Sequence, residues 1–126
     1  MAVALLAGSL WGRSDRSEVA RALQTSVLRG ELLAARAAVL DARVAIYSIN
    51  FGEASSHLED ARGLLGRAGD RLHSLGRDAA VSQLQTALAG IDDAQRMADK
   101  HVQSANSHAG EAAMTIAAVL AAEAKR

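Results

Sequence analysis

The side chains of this sequence best suited to hold a metal or move a proton are four histidines, His57, His73, His101 and His108. His101 and His108 are seven residues apart, which on a continuous helix puts them on one face but roughly 10.5 Å apart along the axis. Two imidazole nitrogens on one ion lie only about 3 to 4 Å from each other, so this pair cannot share a metal. Glu53 and His57, four apart, form half a metal site, and no Glu-x-x-His is present to complete the paired motif of di-iron bundles. Met97 and His101, one turn apart, carry donor atoms of the kind that ligate haem iron, yet the 126-residue chain has no attachment motif and no cysteine. Asp92 and Asp93 are paired carboxylates by sequence only, because adjacent helical residues point about 100° apart. Asp92 and Arg96 read as an ordinary surface pair. There is no nucleophile elbow, phosphate loop or dinucleotide turn. The chemistry predicts no enzyme, no cofactor and no metal. The alternative it leaves is a sensory or cofactor/metal-binding bundle whose pocket uses His101, Met97 and Tyr47.

Arg29, Arg36 and Arg43 form a basic stripe at a spacing of seven. Recognition of nucleic acid would want a net basic chain and stacking aromatics, whereas 14 basic residues balance 14 acidic ones and only three residues are aromatic. The stripe therefore reads as the ion-pairing edge of a helix, and nucleic acid is not expected as a partner.

These residues must be positioned by helices. Half the chain is hydrophobic, 29 residues are alanine and none is proline, a composition suited to helices that approach closely. Asp15 and Glu18 resemble a capping box that opens a first helix. From there Val19, Leu23, Ser26, Gly30, Leu33, Ala37, Leu40, Val44 and Tyr47 alternate spacings of three and four, a seam of period 3.5. Asn50 and Glu53 provide a cap for a second helix, whose seam is Ala54, Leu58, Ala61, Leu65, Ala68, Leu72 and Leu75 and which stops at Gly76. Asp78 caps a third, with Val81, Leu84, Leu88, Ile91, Gln95, Ala98, Val102 and Ala105 inward. Gln95 needs a hydrogen-bond partner there, with Tyr47 or a water as candidate.

The expected fold is all-α: an antiparallel helical bundle of three long helices plus a short fourth, over about 15–49, 53–75, 78–104 and 110–124. The turn-forming run from Ser104 to Gly110 supplies the last break, and the alternative is a three-helix coiled coil with one continuous helix 78–124. Helix 3 then returns beside helix 1, in layers from Gly30/Leu72/Val81 to Tyr47/Ala54/Ala98. This register predicts Gly30 as a close-contact position and ion pairs between Arg36 and Asp92 and between Arg43 and Asp99.

The stretch Asn50-Phe51-Gly52-Glu53-Ala54, with Leu58 and Ala61, resembles the central turn and second helix of a tetratricopeptide hairpin over about residues 42–65. The resemblance implies a protein-interaction scaffold and brings no catalytic residue.

Residues 1–12 are an apolar N-terminal tail or truncated anchor, and 13–126 a single bundle domain. Met1 to Trp11 would span roughly 16 Å as a helix, half a bilayer core, and lacks the basic start of a secretory signal. Val3, Leu5, Leu6, Leu10 and Trp11, followed by Val19 and Leu23 beyond the reach of helix 2, form an apolar surface that the bundle cannot cover itself. The function this implies is non-enzymatic: a scaffold for protein interaction or oligomerisation, tethered through the apolar N-terminus. Its partner would be another protein, a second copy or a membrane surface. Alanine- and arginine-rich, lysine-poor usage points to a bacterial protein; the compartment is left open between a membrane-associated place at the envelope and the cytoplasm.

Overall fold

A computed structural model describes the backbone from Ala2 to Arg126 and the side chains from Arg16 onward. Four helices follow in order, α1 (Ala2–Tyr47), α2 (Phe51–Ser74), α3 (Asp78–Asp99) and α4 (Ala105–Ala124), and the described residues hold no strand. They pack as a bundle in which α1 lies against α2 and α4, and α3 likewise lies against α2 and α4. The first and third helices stand at opposite corners. The expected neighbourhood of helices 1 and 3 is thereby overturned, because α4 takes the place beside α1.

Three helix ends share one construction. At the end of α1, Asn50 N–H donates to Ala45 C=O (2.8 Å) and Ile49 N–H to Ile46 C=O (3.0 Å). After α2 the same pair is Arg77 to Leu72 (2.9 Å) and Gly76 to His73 (3.0 Å), and after α3 it is Val102 to Met97 and His101 to Ala98, both 2.9 Å. These are Schellman closures, and each requires a left-handed residue at its second-to-last position. Ile49, Gly76 and His101 occupy it, with φ of 60°, 73° and 58°. The next helix after the first closure is capped by Asn50, whose Oδ1 accepts from Glu53 N–H (3.3 Å) while its Nδ2 donates to Glu53 Oε2 (2.7 Å).

Two boundaries differ from those expected. Asp15 and Glu18 fall inside α1, whose span also crosses the expected division between residues 12 and 13. The last break lies at residues 100–104 rather than 104–110, so Asn106, Ser107, His108 and Gly110 belong to α4. The cause is local: the closure at His101 ends α3 early. Contacts to α1 then seat the new helix, with Arg43 Nε donating to Asn106 Oδ1 (2.7 Å) and Gln103 Nε2 to Ile46 C=O (3.1 Å).

The α2 seam is buried from Ala54 to Leu72, with Leu75 half-buried at its end. The α3 stripe is Ala80, Leu84, Ala87, Ile91, Ala94 and Ala98; Val81, Leu88 and Gln95, expected inward, are half-buried on its flank. A helix gripped from two sides buries a wider stripe than a two-helix seam does. On α4 the core residues are Ala105, Ala109, Ala112, Ala113, Ile116 and Val119.

The largest departure is α1. Its buried residues are Leu28, Leu32, Ala35, Val39, Ala42, Ala45 and Ile46, while Val19, Leu23, Ser26, Gly30, Leu33, Ala37, Leu40, Val44 and Tyr47 are exposed. The buried stripe contains no polar atom, whereas the expected one would have buried the Ser26 and Tyr47 hydroxyls. A Cβ built on Gly30 meets nothing within 4 Å, so Gly30 is not a close contact inside the bundle. The expected ion pairs fail with the register: Asp92 pairs with Arg62, Asp99 accepts from Ser55 Oγ (3.3 Å), and Arg43 turns to Asn106.

Candidate functional site

The outer face of α1 is where the structure leaves apolar surface unsatisfied. An offset of two residues separates the exposed seam from the buried one, and two residues at 100° each make about 200°, so the seams lie on opposite faces. The exposed seam carries Val19 (66% exposed), Leu23 (64%), Leu33 (47%), Leu40 (37%), Val44 (67%) and Tyr47 (81%). Unlike α2 and α3, which are apolar on one side only, α1 has apolar stripes on both. From Arg16 to Val27 every side chain is exposed except the half-buried Gln24, and Leu28 is the first of the described side chains to enter the core.

Of the residues expected to form an interaction surface, Val19 and Leu23 are on this face, and Val3, Leu6, Leu10 and Trp11 lie outside the described side chains. Leu33, Leu40, Val44 and Tyr47 join the face although the sequence placed them in the core. Their period was visible, but the choice between two seams was not. The arginine stripe flanks the seam on its α4 side, while Ala20, Val27, Ala34 and Asp41 flank the other edge.

The candidate chemical residues are spread elsewhere. His57 Nε2 stands 3.5 Å from Glu53 Oε1, and His73 Nδ1 is 3.9 Å from Asp78 Oδ1. Among the described residues no group of three or more His, Asp or Glu side chains is placed to hold a metal ion. His101 lays its ring on Phe51, Met97 Sδ accepts from Ser104 Oγ (3.0 Å), and Tyr47 is turned out to solvent. Thus His101, Met97 and Tyr47 do not converge on a pocket. Asp93, not Asp92, pairs with Arg96.

Between α2 and α3 runs an open groove of polar side chains. Arg62 bridges Asp92 and Gln95 Oε1 (2.9 Å), while Gln95 Nε2 donates to Glu59 Oε2 (3.3 Å) and Ser55 Oγ (3.4 Å). Gln95 thus finds its partners on α2 rather than at Tyr47. Each group is held by an opposite charge or a matched donor, and Ser55, the sole hydroxyl in the set, donates to Asp99 Oδ1 (3.3 Å). The groove joins two helices. Neither family models, curated proteins nor solved structures match the chain.

Proposed function

We propose that this chain is a non-enzymatic helical-bundle scaffold for protein interaction or oligomerisation, tethered through its apolar N-terminal stretch. The observation that carries this reading is the double-sided α1: one stripe closes the bundle, and the other presents large apolar side chains to solvent. Full burial of a Val or Leu is worth about 1.5 to 3 kcal/mol, so several such increments remain to be gained from a partner. The resemblance of residues 42–65 to a tetratricopeptide hairpin supports a binding role in the same sense.

The pairs Glu31–Arg71, Arg62–Asp92, Arg77–Glu123 and Arg43–Asn106 support an up-down-up-down order for the four helices. In that order α1 outruns its neighbours at one end: 46 residues make about 69 Å of helix against about 36 Å for the 24 residues of α2. Among the described residues no helix is long and apolar enough to cross a membrane. Sedimentation and liposome flotation of the intact chain, beside one lacking residues 1–12, test the reading. The intact chain should self-associate or float, and the shortened one should remain a soluble, folded bundle. An intact chain that stays monomeric at concentrations on the order of tens of micromolar and ignores liposomes overturns it.

A further inference from the structure

We infer that the outer face of α1 docks on a second copy of this chain, with the two α1 helices antiparallel and related by a two-fold axis near Ala35. The inference rests on the reading of α1 as the interaction element and names its partner.

The seam's period comes first. Apolar residues repeated every 3.5 positions drift about 20° per heptad around a straight helix, so they leave a flat surface but stay in contact with another helix that coils around them. The sequence of sizes then selects the mate. In an antiparallel pair each a residue meets a d residue of the other chain. Centred near Ala35, the exposed seam places Leu33 against Ala37, Leu40 against Gly30 and Val44 against Ser26, each contact occurring twice by symmetry. Leu23 and Tyr47 close the two ends. Large faces small in every inner layer, and Gly30, which meets nothing within its own bundle, receives a leucine.

A parallel pair would set Leu33 on Leu33, Ala37 on Ala37 and Gly30 on Gly30, leaving voids between the leucine layers. Charge favours that alternative: it would place Arg36 opposite Asp41, whereas the antiparallel pair sets Arg36 against its symmetry mate and Arg29 against Arg43. Exposed charge pairs are weak and screened, while unfilled layers between leucines cost several times more, so packing decides the orientation. Arg43 is already turned away toward Asn106.

The buried stripe of α1 points the opposite way, so pairing two α1 helices leaves both bundles intact on the outside. Val19 falls beyond the symmetric seam, in the part of α1 that runs past the partner.

The chain has no cysteine, which makes single-cysteine variants of the full chain clean probes. Val44 and Ser26 are both exposed, so Val44→Cys and Ser26→Cys should fold as the parent does, checked by circular dichroism. Mixed Val44→Cys and Ser26→Cys chains should form a disulfide-linked heterodimer, whereas Val44→Cys alone should not cross-link, its two copies lying about 27 Å apart. Sedimentation should give two chains. Association should tighten with salt, and about two-fold in Arg36→Gln, because like charges are relieved.

Cross-linking of Val44→Cys to itself, with association weakened by salt, would mean a parallel pair and overturn the inference. A dimer in which neither combination cross-links puts the interface elsewhere and does the same, leaving the scaffold reading intact. A monomer that floats with phosphatidylethanolamine–phosphatidylglycerol vesicles overturns the inference but supports the tether. A monomer that ignores them defeats both.

Discussion

The imidazole of His101 stacks on the ring of Phe51, with centroids 5.1 Å apart and planes inclined by 7°. His101 is the left-handed residue that closes α3, and Phe51 is the first residue of α2, so the stack ties two chain reversals together at one end of the bundle. Phe51 is itself buried there beside Ala45, Ile46, Ala54, Ala98 and Ala105, with Met97 packed against the group.

This relationship sets two opposing terms in one substitution. His101→Gly removes left-handed strain of about 1 kcal/mol but loses a stack worth about 0.5 to 1.5 kcal/mol, so its net effect on stability should be near zero. Ile49→Gly has only the first term, since Ile49 is exposed and β-branched at φ 60°. It should stabilise by about 1 to 2 kcal/mol. Urea denaturation of both variants checks the two signs; a His101→Gly gain as large as that of Ile49→Gly would mean that the stack contributes nothing.

Neighbouring leucines on α1 should behave unlike one another. Leu32 is fully buried and Leu33 is about half exposed, so Leu32→Ala should cost about 2 to 5 kcal/mol and Leu33→Ala under about 1 kcal/mol in dilute solution. Leu65→Ala, from the buried α2 seam, belongs with the first group. A Leu33→Ala loss equal to that of Leu32→Ala at low concentration would mean that the outer seam is part of the monomer's core.

Asn106→Asp should stabilise the bundle by about 0.5 to 1 kcal/mol. The new carboxylate would turn the Arg43 hydrogen bond into a charge-assisted one, and it would supply the negative charge that the first turn of α4 lacks. The gain should shrink as salt is added. A salt-independent change in melting temperature would point to some other cause.

Gly66 and Gly69 lie in the interior of α2, and a Cβ on either meets nothing within 4 Å. Replacing each by alanine should add about 0.5 to 1 kcal/mol through the entropy of the unfolded chain. Thermal melts of the single variants and the double variant check both the sign and the additivity.

The sequence by itself determined the helices of this protein and the inward face of α2. Alanine content and the absence of proline left no competing element, Asn50 and Glu53 marked one start, Gly76 marked one stop, and the α2 seam had no rival on its own helix. Tertiary structure decided everything that depends on which surfaces meet. α1 carries two seams of equal period on opposite faces, and only the packing of α2 and α4 against it selects Leu28, Leu32, Val39 and Ile46 for the core. Periodicity cannot rank two such stripes, because it reports spacing and not what lies opposite. The backbone conformation of two of the three chain reversals was hidden as well, since Ile49 and His101 adopt a left-handed backbone without being glycine. They are held there by closing hydrogen bonds and, for His101, by an aromatic partner 50 residues away in the chain. The candidate site follows the same division: its period of 3.5 was legible, but its exposure exists only because the other face of the same helix was buried first.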